Sequence, residues 1–492
     1  MAFPVKTLAE LGLRPSQNPT SLIYGLAVDS CEIRKGFLFV ALPGSQTHGA
    51  KFAHFAFRQG AIAILTDAEG ATIASEEIQK YNVETCIVDD PRGALAQAAS
   101  LFYGCQPEVV VAVTGTNGKT SVASFCRQIW EKIGLNAINL GTTGVEGFWS
   151  TPLTHTTPEP IVLHRTLAEA KRAGVTHVAM EASSHGLDQK RLDGVKLRVA
   201  GFTNFSQDHL DYHTTFENYF AAKVGLFDRV LGFAGTAVIN LDDPKGAELK
   251  QLCLANNHEV ISVGRVNSDL QIHGQKFDAM GQDILFSWQG ETHQTKVPLA
   301  GGFQGENLMI AAAMVLATGI ASESVFAVLK NIRSVRGRME LAATRSNGAS
   351  IFVDYAHTPD ALATALKSLR IHAMGRLVVV FGAGGDRDHS KRVFMGQIAA
   401  KYSDITFLTD DNPRTEEPAA IRAMVLVGAP NSIVVADRAE AILRAVDCLQ
   451  AGDTLLIAGK GHESGQIVGN DTLPFDDVEQ ASIAVAALEG GY

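Results

Sequence analysis

Short apolar runs rich in β-branched residues alternate along this chain with longer stretches whose hydrophobic positions recur at helical spacing. The runs read as buried strands and the stretches as helices packed on them. Strand-like runs fall at Gly36–Leu42, Ala61–Leu65, Val109–Val113, Val178–Met180 and Val199–Phe202, then at Ile351–Asp354, Leu377–Phe381, Ile405–Thr409 and Leu455–Ala458. A helix is expected over Ser121–Ile133, and an amphipathic, alanine-rich helix with a short second one over 301–330. Residues 259–298 alternate in the manner of strands and read as a β excursion. The pattern is α/β, and it suggests segments 1–105, 106–335 and 336–492, with the first boundary near Pro107 and the second near Arg336. Neither repeats nor low-complexity segments interrupt it.

Composition narrows the class. The chain has 492 residues, 46% of them hydrophobic, enough to bury substantial cores. A net charge of −10 with both signs interspersed excludes the broad basic field of non-specific nucleic-acid binding. Any phosphate site must therefore be a local pocket. Six cysteines are scattered without a CxxC pair, as expected of reduced, mostly buried thiols in a cytosolic protein. Met1-Ala2-Phe3-Pro4-Val5-Lys6 does not read as a signal peptide, and no apolar run is long enough to span a bilayer. A cytoplasmic protein without a membrane partner is expected.

The most specific chemistry lies after the run at 109–113. Thr114-Gly115-Thr116-Asn117-Gly118-Lys119-Thr120-Ser121 joins a strand to a helix through two glycines. Such a loop aims backbone N–H groups and the positive end of a helix dipole at an anion. Lys119 would reach the β- and γ-phosphates of a nucleotide, and the Thr120 hydroxyl would hold Mg²⁺. Val113 stands where the full Walker pattern has its first glycine, so the turn depends on Gly115 and Gly118.

Other polar clusters follow strand ends. Glu181, in Met180-Glu181-Ala182-Ser183-Ser184-His185, is placed where a magnesium-binding carboxylate is wanted; the plainer reading is a capping or surface acid. His209 and His213 could share a helix face, but the set lacks a third ligand for zinc, so one histidine serving magnesium or substrate fits better. Lys223 lies in an apolar helical context and, taken alone, reads as a snorkelling surface lysine. Arg338 and Asp354 flank the second boundary, and Arg338 could stabilise phosphate charge. Three charged loops, 382–388, 409–418 and 459–463, the first and last of them Gly-rich, each follow a strand, which is where doubly wound sheets bind ligands.

Taken in order, these motifs resemble the Mur ligases, ATP-dependent enzymes that form amide bonds in peptidoglycan synthesis, over essentially the whole chain. Thr114–Thr120 matches the family's shortened phosphate loop, and Glu181, His209, Asn307, Arg338 and the Asp354-Tyr355-Ala356-His357-Thr358-Pro359 box match as well. The resemblance implies a small α/β N-terminal domain, a central P-loop-type parallel sheet and a C-terminal doubly wound, Rossmann-like sheet. It implies uridine-nucleotide contacts from Val28, Ser30, Ser45, Gln46 and Thr47, and muramoyl-dipeptide contacts from Thr156, Thr157, Ser183, Gln189 and Arg191. It also places Lys223 at the family's carbamylated lysine, which reverses the surface reading, since a carbamate can ligate Mg²⁺ and an ammonium cannot. Asp411-Asn412-Pro413-Arg414 resembles the signature of members that select meso-diaminopimelate. A planar guanidinium suits the second carboxylate of that diacid. Arg387, Gly459 and Glu463 match the remaining contacts, with Glu463 suited to the distal ammonium. Gln304 departs from the usual residue there and is given no role.

The implied reaction is phosphorylation of the D-glutamyl γ-carboxylate of UDP-N-acetylmuramoyl-L-alanyl-D-glutamate, then attack by an amine of meso-diaminopimelate on the acyl phosphate. Lys119, Thr120, Glu181, His209 and carbamylated Lys223 with Mg²⁺ would align the phosphates, and domain closure would exclude water. The partners implied are small molecules, with no protein partner inferred. A lysine-adding member, a folyl-polyglutamate-type ligase and a non-catalytic nucleotide switch are the competing readings.

Overall fold

The computed structural model describes residues 4–490 apart from Gln17, Asn18, Ser45, Gln207, His209, Ala279 and Met280. Backbone contacts divide the chain into two compact units, Met1–Val263 with Ile310–Ser322, and Gly264–Met309 with Glu323–Tyr492.

The first unit begins with a parallel sheet of β1 (Gly25–Ala27), β2 (Phe37–Val40), β3 (Ala63–Thr66) and β4 (Glu84–Ile87), paired in chain order. Alternation sends Leu38, Val40 and Leu65 to one face, against Leu95 and Phe102 of α1 (Pro91–Tyr103). Phe39, Ala41 and Ile64 take the other face, with Phe57. Burial on both faces explains why these strands are nearly continuous hydrophobic runs.

The central sheet is built on β5 (Val109–Thr114), whose six residues are all buried. Helix α2 (Lys119–Lys132) follows it. The other strands are β6 (Ala137–Gly141), β7 (Gly144–Gly147), β8 (His177–Glu181), β9 (Leu197–Phe202), β10 (Leu231–Asn240) and β11 (Glu259–Gly264). Their order is β11-β10-β9-β5-β8-β6-β7, parallel except for the β6–β7 hairpin. Glu181 pairs in register with Val113, and Phe202 with Thr114. The ends of β8 and β9 therefore stand level with the start of the glycine loop. Helix α3 (Phe216–Gly225) lies beyond β9.

The strand reading of 259–298 holds: β11 is a parallel strand of the central sheet, and β12 (Leu270–Asp278), β13 (Gly281–Trp288) and β14 (Glu291–Val297) form an antiparallel meander in the second unit. One expectation needs correction. Helix α4 (Gly302–Leu316) is not amphipathic, because Leu308–Leu316 are buried in succession. An apolar face all round marks a helix enclosed by protein. It also lets Met314 Sδ approach Gly201 so closely that an added Cβ would lie 2.5 Å away.

The second unit carries β15 (Glu340–Thr344), β16 (Ser350–Asp354), α5 (Pro359–Arg370), β17 (Leu377–Phe381), α6 (Ser390–Tyr402), β18 (Ile405–Leu408), α7 (Pro418–Gly428), β19 (Ile433–Val434), α8 (Arg438–Asp447), β20 (Thr454–Ala458) and α9 (Asp477–Glu489). Strand order is β15-β16-β20-β17-β18-β19, with only the edge strand β15 antiparallel. Phe352, Val379, Phe381 and Leu456 pack on α5, α6 and α7. Ile351, Val353, Val378 and Ile457 pack on α8 and α9. The loops rich in charge leave the carboxyl ends of four neighbouring strands, β16, β20, β17 and β18, as the doubly wound reading expects.

Candidate active site

In the first unit the phosphate loop is held by the segment after β9. Gly115 has φ +151°, and a Cβ there would sit 1.9 Å from Thr203 Oγ1. Thr116 N donates to Asn204 O at 2.9 Å and Asn117 N to Asn204 Oδ1 at 2.9 Å. Thr203 Oγ1 donates to Asn117 O at 2.6 Å. Two of the loop's amides are thus spent on holding its shape. The helix start remains: Gly118 takes φ +87° as the N-cap of α2 and supplies no side-chain cap. The first-turn amides, through Ser121, then have no intrahelical acceptor, and they lie beside the positive end of the dipole. Lys119 folds back, donating to Gly115 O at 2.8 Å and Thr116 O at 2.9 Å.

Glu181 is neither a cap nor a surface acid. It is 2% exposed at the end of β8. Thr120 Oγ1 donates to its Oε2 at 3.0 Å, and Thr142 N to its Oε1 at 2.8 Å. Gly141 makes room for it, since a Cβ there would lie 2.0 Å from Oε1. The Thr142 hydroxyl meets that of Thr156 at 3.0 Å. Hydroxyl and carboxylate oxygens gathered in this way are the hard donors that Mg²⁺ takes.

Lys223 is 2% exposed, which overturns the snorkelling reading. Its Nζ donates to Gly115 O at 2.9 Å and lies 4.4 Å above the Tyr219 ring. Lys119 shares that same carbonyl. Burial first, and the charge on Lys119 second, push the Lys223 amine well below the usual lysine range. His213 packs between the rings of His185 and Tyr219, at 5.4 and 5.3 Å.

Farther along, Thr157 Oγ1 donates to Glu181 O at 2.9 Å and accepts from Ser183 N at 3.0 Å. Arg191 Nη1 donates to Thr157 O at 2.7 Å, and Arg191 Nη2 to Gln189 Oε1 at 2.8 Å. The structure thus brings Thr156, Thr157, Ser183, Gln189 and Arg191 into one network with Glu181. Ser30 is buried in the turn that follows β1, Val28 just before it is exposed, and Gln46 and Thr47 are exposed in the loop after β2. None of these lines the cavity of about 420 Å³ bounded by Leu26, Cys31, Arg34, Phe102, Glu159 and Arg165. Ser45 and His209 lie outside the described residues.

In the second unit, Asn412 is nearly buried and fully engaged. Its Oδ1 accepts from Lys460 Nζ and Ile467 N, both at 2.9 Å, and its Nδ2 donates to Glu463 Oε2 at 2.8 Å. Asp411 Oδ1 accepts from Asn412 N at 2.7 Å. Arg414 adopts φ +52° and sends Nη1 to Gly385 O at 2.7 Å. Arg387 is exposed on the neighbouring loop. Gly459, at φ +120°, abuts the Asp411 carboxylate, which a Cβ would meet at 2.4 Å.

Arg338 stacks over the Tyr355 ring at 4.7 Å, and its buried Nε has no hydrogen-bond partner among the described residues. Asp354 Oδ2 accepts from Met339 N at 2.7 Å, and burial raises its carboxyl. Sequence reasoning left Gln304 idle, yet it is 1% exposed, donates to Arg338 O at 3.1 Å and accepts from Asn307 Nδ2 at 3.4 Å. It ties two of the expected nucleotide residues together. Lys460, in the 459–463 loop, was not singled out either. A lysine between two glycines directly after a buried strand was the available signal.

The Mur ligase middle domain matches residues 113–315, the Mur ligase glutamate ligase domain 337–461, and the Mur ligase family catalytic domain 22–103. The UDP-N-acetylmuramoyl-L-alanyl-D-glutamate–2,6-diaminopimelate ligase of Bradyrhizobium diazoefficiens is 48% identical over 471 residues, covering 94% of this chain and 95% of its own. A solved structure of a ligase with that name is 31% identical, with TM-score 0.74 and 99% of both chains covered. The MurF ligase of Thermotoga maritima in complex with ADP shares the fold at 19% identity, with TM-score 0.62 over 95% of this chain and 98% of its own.

Proposed function

This chain belongs to the Mur ligase family, and from that premise we infer that it joins meso-2,6-diaminopimelate to UDP-N-acetylmuramoyl-L-alanyl-D-glutamate with cleavage of ATP to ADP and phosphate. The reaction supplies a tripeptide precursor for peptidoglycan. The work divides among residues 1–105 for the uridine nucleotide, 106–335 for ATP and the acid, and 336–492 for the incoming amino acid. The observation that carries the amino-acid assignment is the pairing of guanidinium and carboxylate at adjacent strand ends, with Arg414 and Arg387 on one side and Glu463 on the other. A distal centre bearing both a carboxylate and an ammonium satisfies both. Lysine would leave the guanidinium groups without a carboxylate, and a folate substrate would use neither.

ATP is read at the start of α2, where the first-turn amides and Lys119 meet the phosphates; the family resemblance also assigns Asn307, Arg338 and Asp354 to the nucleotide. Thr120 and Glu181 fit Mg²⁺ through their oxygen donors, and His209 and Lys223, the latter as carbamate, are proposed to complete the metal shells. Bound there, Mg²⁺ neutralises phosphate charge. The residues do the rest. Lys119 exchanges its carbonyl partners for phosphate oxygens. Thr157, Ser183 and Arg191 hold the dipeptide so that its γ-carboxylate faces the phosphate. The carboxylate is a poor electrophile, and phosphorylation gives it a leaving group. The amine then adds, and the tetrahedral adduct collapses to amide and phosphate. Among the described residues no helix is long and apolar enough to cross a membrane, which suits nucleotide-linked substrates dissolved in the cytoplasm.

The test is a substrate swap with purified protein. ATP, the UDP-dipeptide and meso-diaminopimelate yield ADP and the UDP-tripeptide. Equal turnover with L-lysine would reject the assignment of Arg414 and Arg387, and absence of any product would reject the ligase reading.

A further inference from the structure

Lys460 is the only lysine of the described residues that is wholly enclosed at 0% exposure, and the reaction outlined above gives it nothing to do. A buried ammonium is costly unless its protons are matched. Here two acceptors match them, Asn412 Oδ1 at 2.9 Å and Glu463 Oε2 at 3.2 Å. These are the two side chains that the amino-acid site presents from different strands: Asn412 follows β18 and Glu463 follows β20. Asn412 closes the triangle by donating to the same Glu463 Oε2 at 2.8 Å. Glu463 Oε2 thus takes two donors on its inner side, while among the described residues none donates to Oε1. The side chain of Glu463 is 32% exposed.

We propose that Lys460 is a positioning residue for amino-acid recognition: its buried ammonium turns Glu463 so that Oε1 faces the substrate, and it locks the Asn412 amide with oxygen inward. The inference rests on the reading of Glu463 as the acceptor for the distal ammonium. Three features favour orientation over simple support. First, the Asn412 amide can point only one way, because Oδ1 also accepts from Ile467 N at 2.9 Å. Second, the backbone on either side of Lys460 is fixed: Gly459 and Gly461 take φ +120° and +55°, and a Cβ on Gly461 would meet Tyr355 Cβ at 2.7 Å and Gly337 O at 2.8 Å. Third, without the ammonium a carboxylate with three rotatable bonds and one remaining donor is free to turn, and the cost falls on substrate binding.

The experiment is a double-mutant cycle on the full chain with Lys460→Met, Glu463→Gln and the pair, and with Lys460→Arg as the charge-keeping variant. Steady-state kinetics for meso-diaminopimelate are read beside hydroxylamine trapping of the acyl phosphate, and thermal unfolding reports folding. Lys460→Met raises the KM for diaminopimelate roughly ten- to a hundredfold, the worth of a charge-assisted hydrogen bond, with a smaller change in the KM for ATP. The double variant is no worse than Glu463→Gln alone, because Lys460 acts through Glu463. Losses that multiply in the double variant, or an unchanged KM in Lys460→Met, overturn the proposal. If Lys460→Met does not fold, the same cycle is run with Lys460→Arg, whose longer fork displaces Glu463 Oε2 without removing the charge. Failure of the wild type to give trapped acyl phosphate would instead count against the ligase reading.

Discussion

Replacing Gly337 by alanine probes the joint between the two halves of the second unit's site. Gly337 has φ +65°, and a Cβ added there would lie 2.1 Å from His462 N and 2.2 Å from Gly461 C. Both are backbone atoms, so no flexible side chain can yield. A left-handed alanine costs about 1–2 kcal/mol, and forcing the neighbouring backbone aside costs about 1–3 kcal/mol more. The loop that must give way runs from Gly459 to Glu463, with Lys460 and Glu463 on it, and the turn that pushes it carries Arg338. A shift near 1 Å in a positioning loop costs roughly a hundredfold in rate. Gly348 supplies the control. It too has a positive φ, +87°, but nothing lies within 4 Å of its added Cβ. Gly348→Ala therefore suffers the backbone strain alone. The assay couples ADP release to a spectroscopic readout with diaminopimelate and ATP varied in turn, beside thermal unfolding of each variant. Gly337→Ala should lose about a hundredfold in kcat/KM for diaminopimelate and melt earlier than Gly348→Ala, which keeps near-normal kinetics. Identical behaviour of the two variants would refute the close approach of the Gly337 turn to the Gly461 backbone.

Three further outcomes are expected. Arg414→Ala should lower kcat/KM for diaminopimelate by about 10²–10³, two charge-assisted bonds at ~1.5 kcal/mol or more each, while hydroxylamine still traps acyl phosphate; loss of trapping would remove Arg414 from amino-acid recognition. Enzyme stripped of CO₂ should lose turnover and regain it with bicarbonate, intact mass should report the carbamate, and Lys223→Met should show no such response; full activity in the stripped enzyme would sink the carbamate assignment. His164 is 2% exposed with its ring nitrogen 3.3 Å from Asp193 O, and burial lowers it to about 4. It stays neutral in the fold and takes a proton on unfolding, so stability should fall as pH drops from 6.5 to about 4, by at most ~3 kcal/mol. Denaturant midpoints across that range should flatten in His164→Gln, and an unchanged slope would show that other groups carry it.

What the sequence made legible is what depends on neighbours in the chain. The strands at 109–114, 377–381 and 454–458 were readable because burial on both faces leaves an uninterrupted apolar run. Gly118-Lys119-Thr120 was readable because turn, cation and hydroxyl must be consecutive to serve one helix start. The misread helix at 302–316 follows from the same logic in reverse: alanine is counted as neutral in a periodic pattern, so enclosure on every side leaves no polar stripe to break the expectation. Pairings over long separations left no local trace. Asn204 spends its side chain on Asn117, and Gln304 joins Asn307 to the Arg338 backbone; each looks like a loop or helix polar residue until the fold closes.

Lys223 shows most sharply what periodicity cannot supply. The apolar helix around it was visible, and apolar surroundings are compatible both with a lysine whose stem lies along the surface and with one whose head is buried. The two differ only in what lies across from the amine. In the fold that is the Gly115 carbonyl, already held by Lys119, with the Tyr219 ring beneath. A second cation beside a buried amine favours its neutral form, so the unmodified chain is least stable where that amine must be protonated. Unfolding takes up a proton there, and stability accordingly rises with pH toward the ordinary lysine range. Conversion to a carbamate sets an anion facing Lys119, where a protonated amine would be repelled. If that exchange is what the site is built for, bicarbonate should raise the thermal midpoint of the wild type at neutral pH and leave that of Lys223→Met unmoved; an equal response of both proteins would place the effect elsewhere.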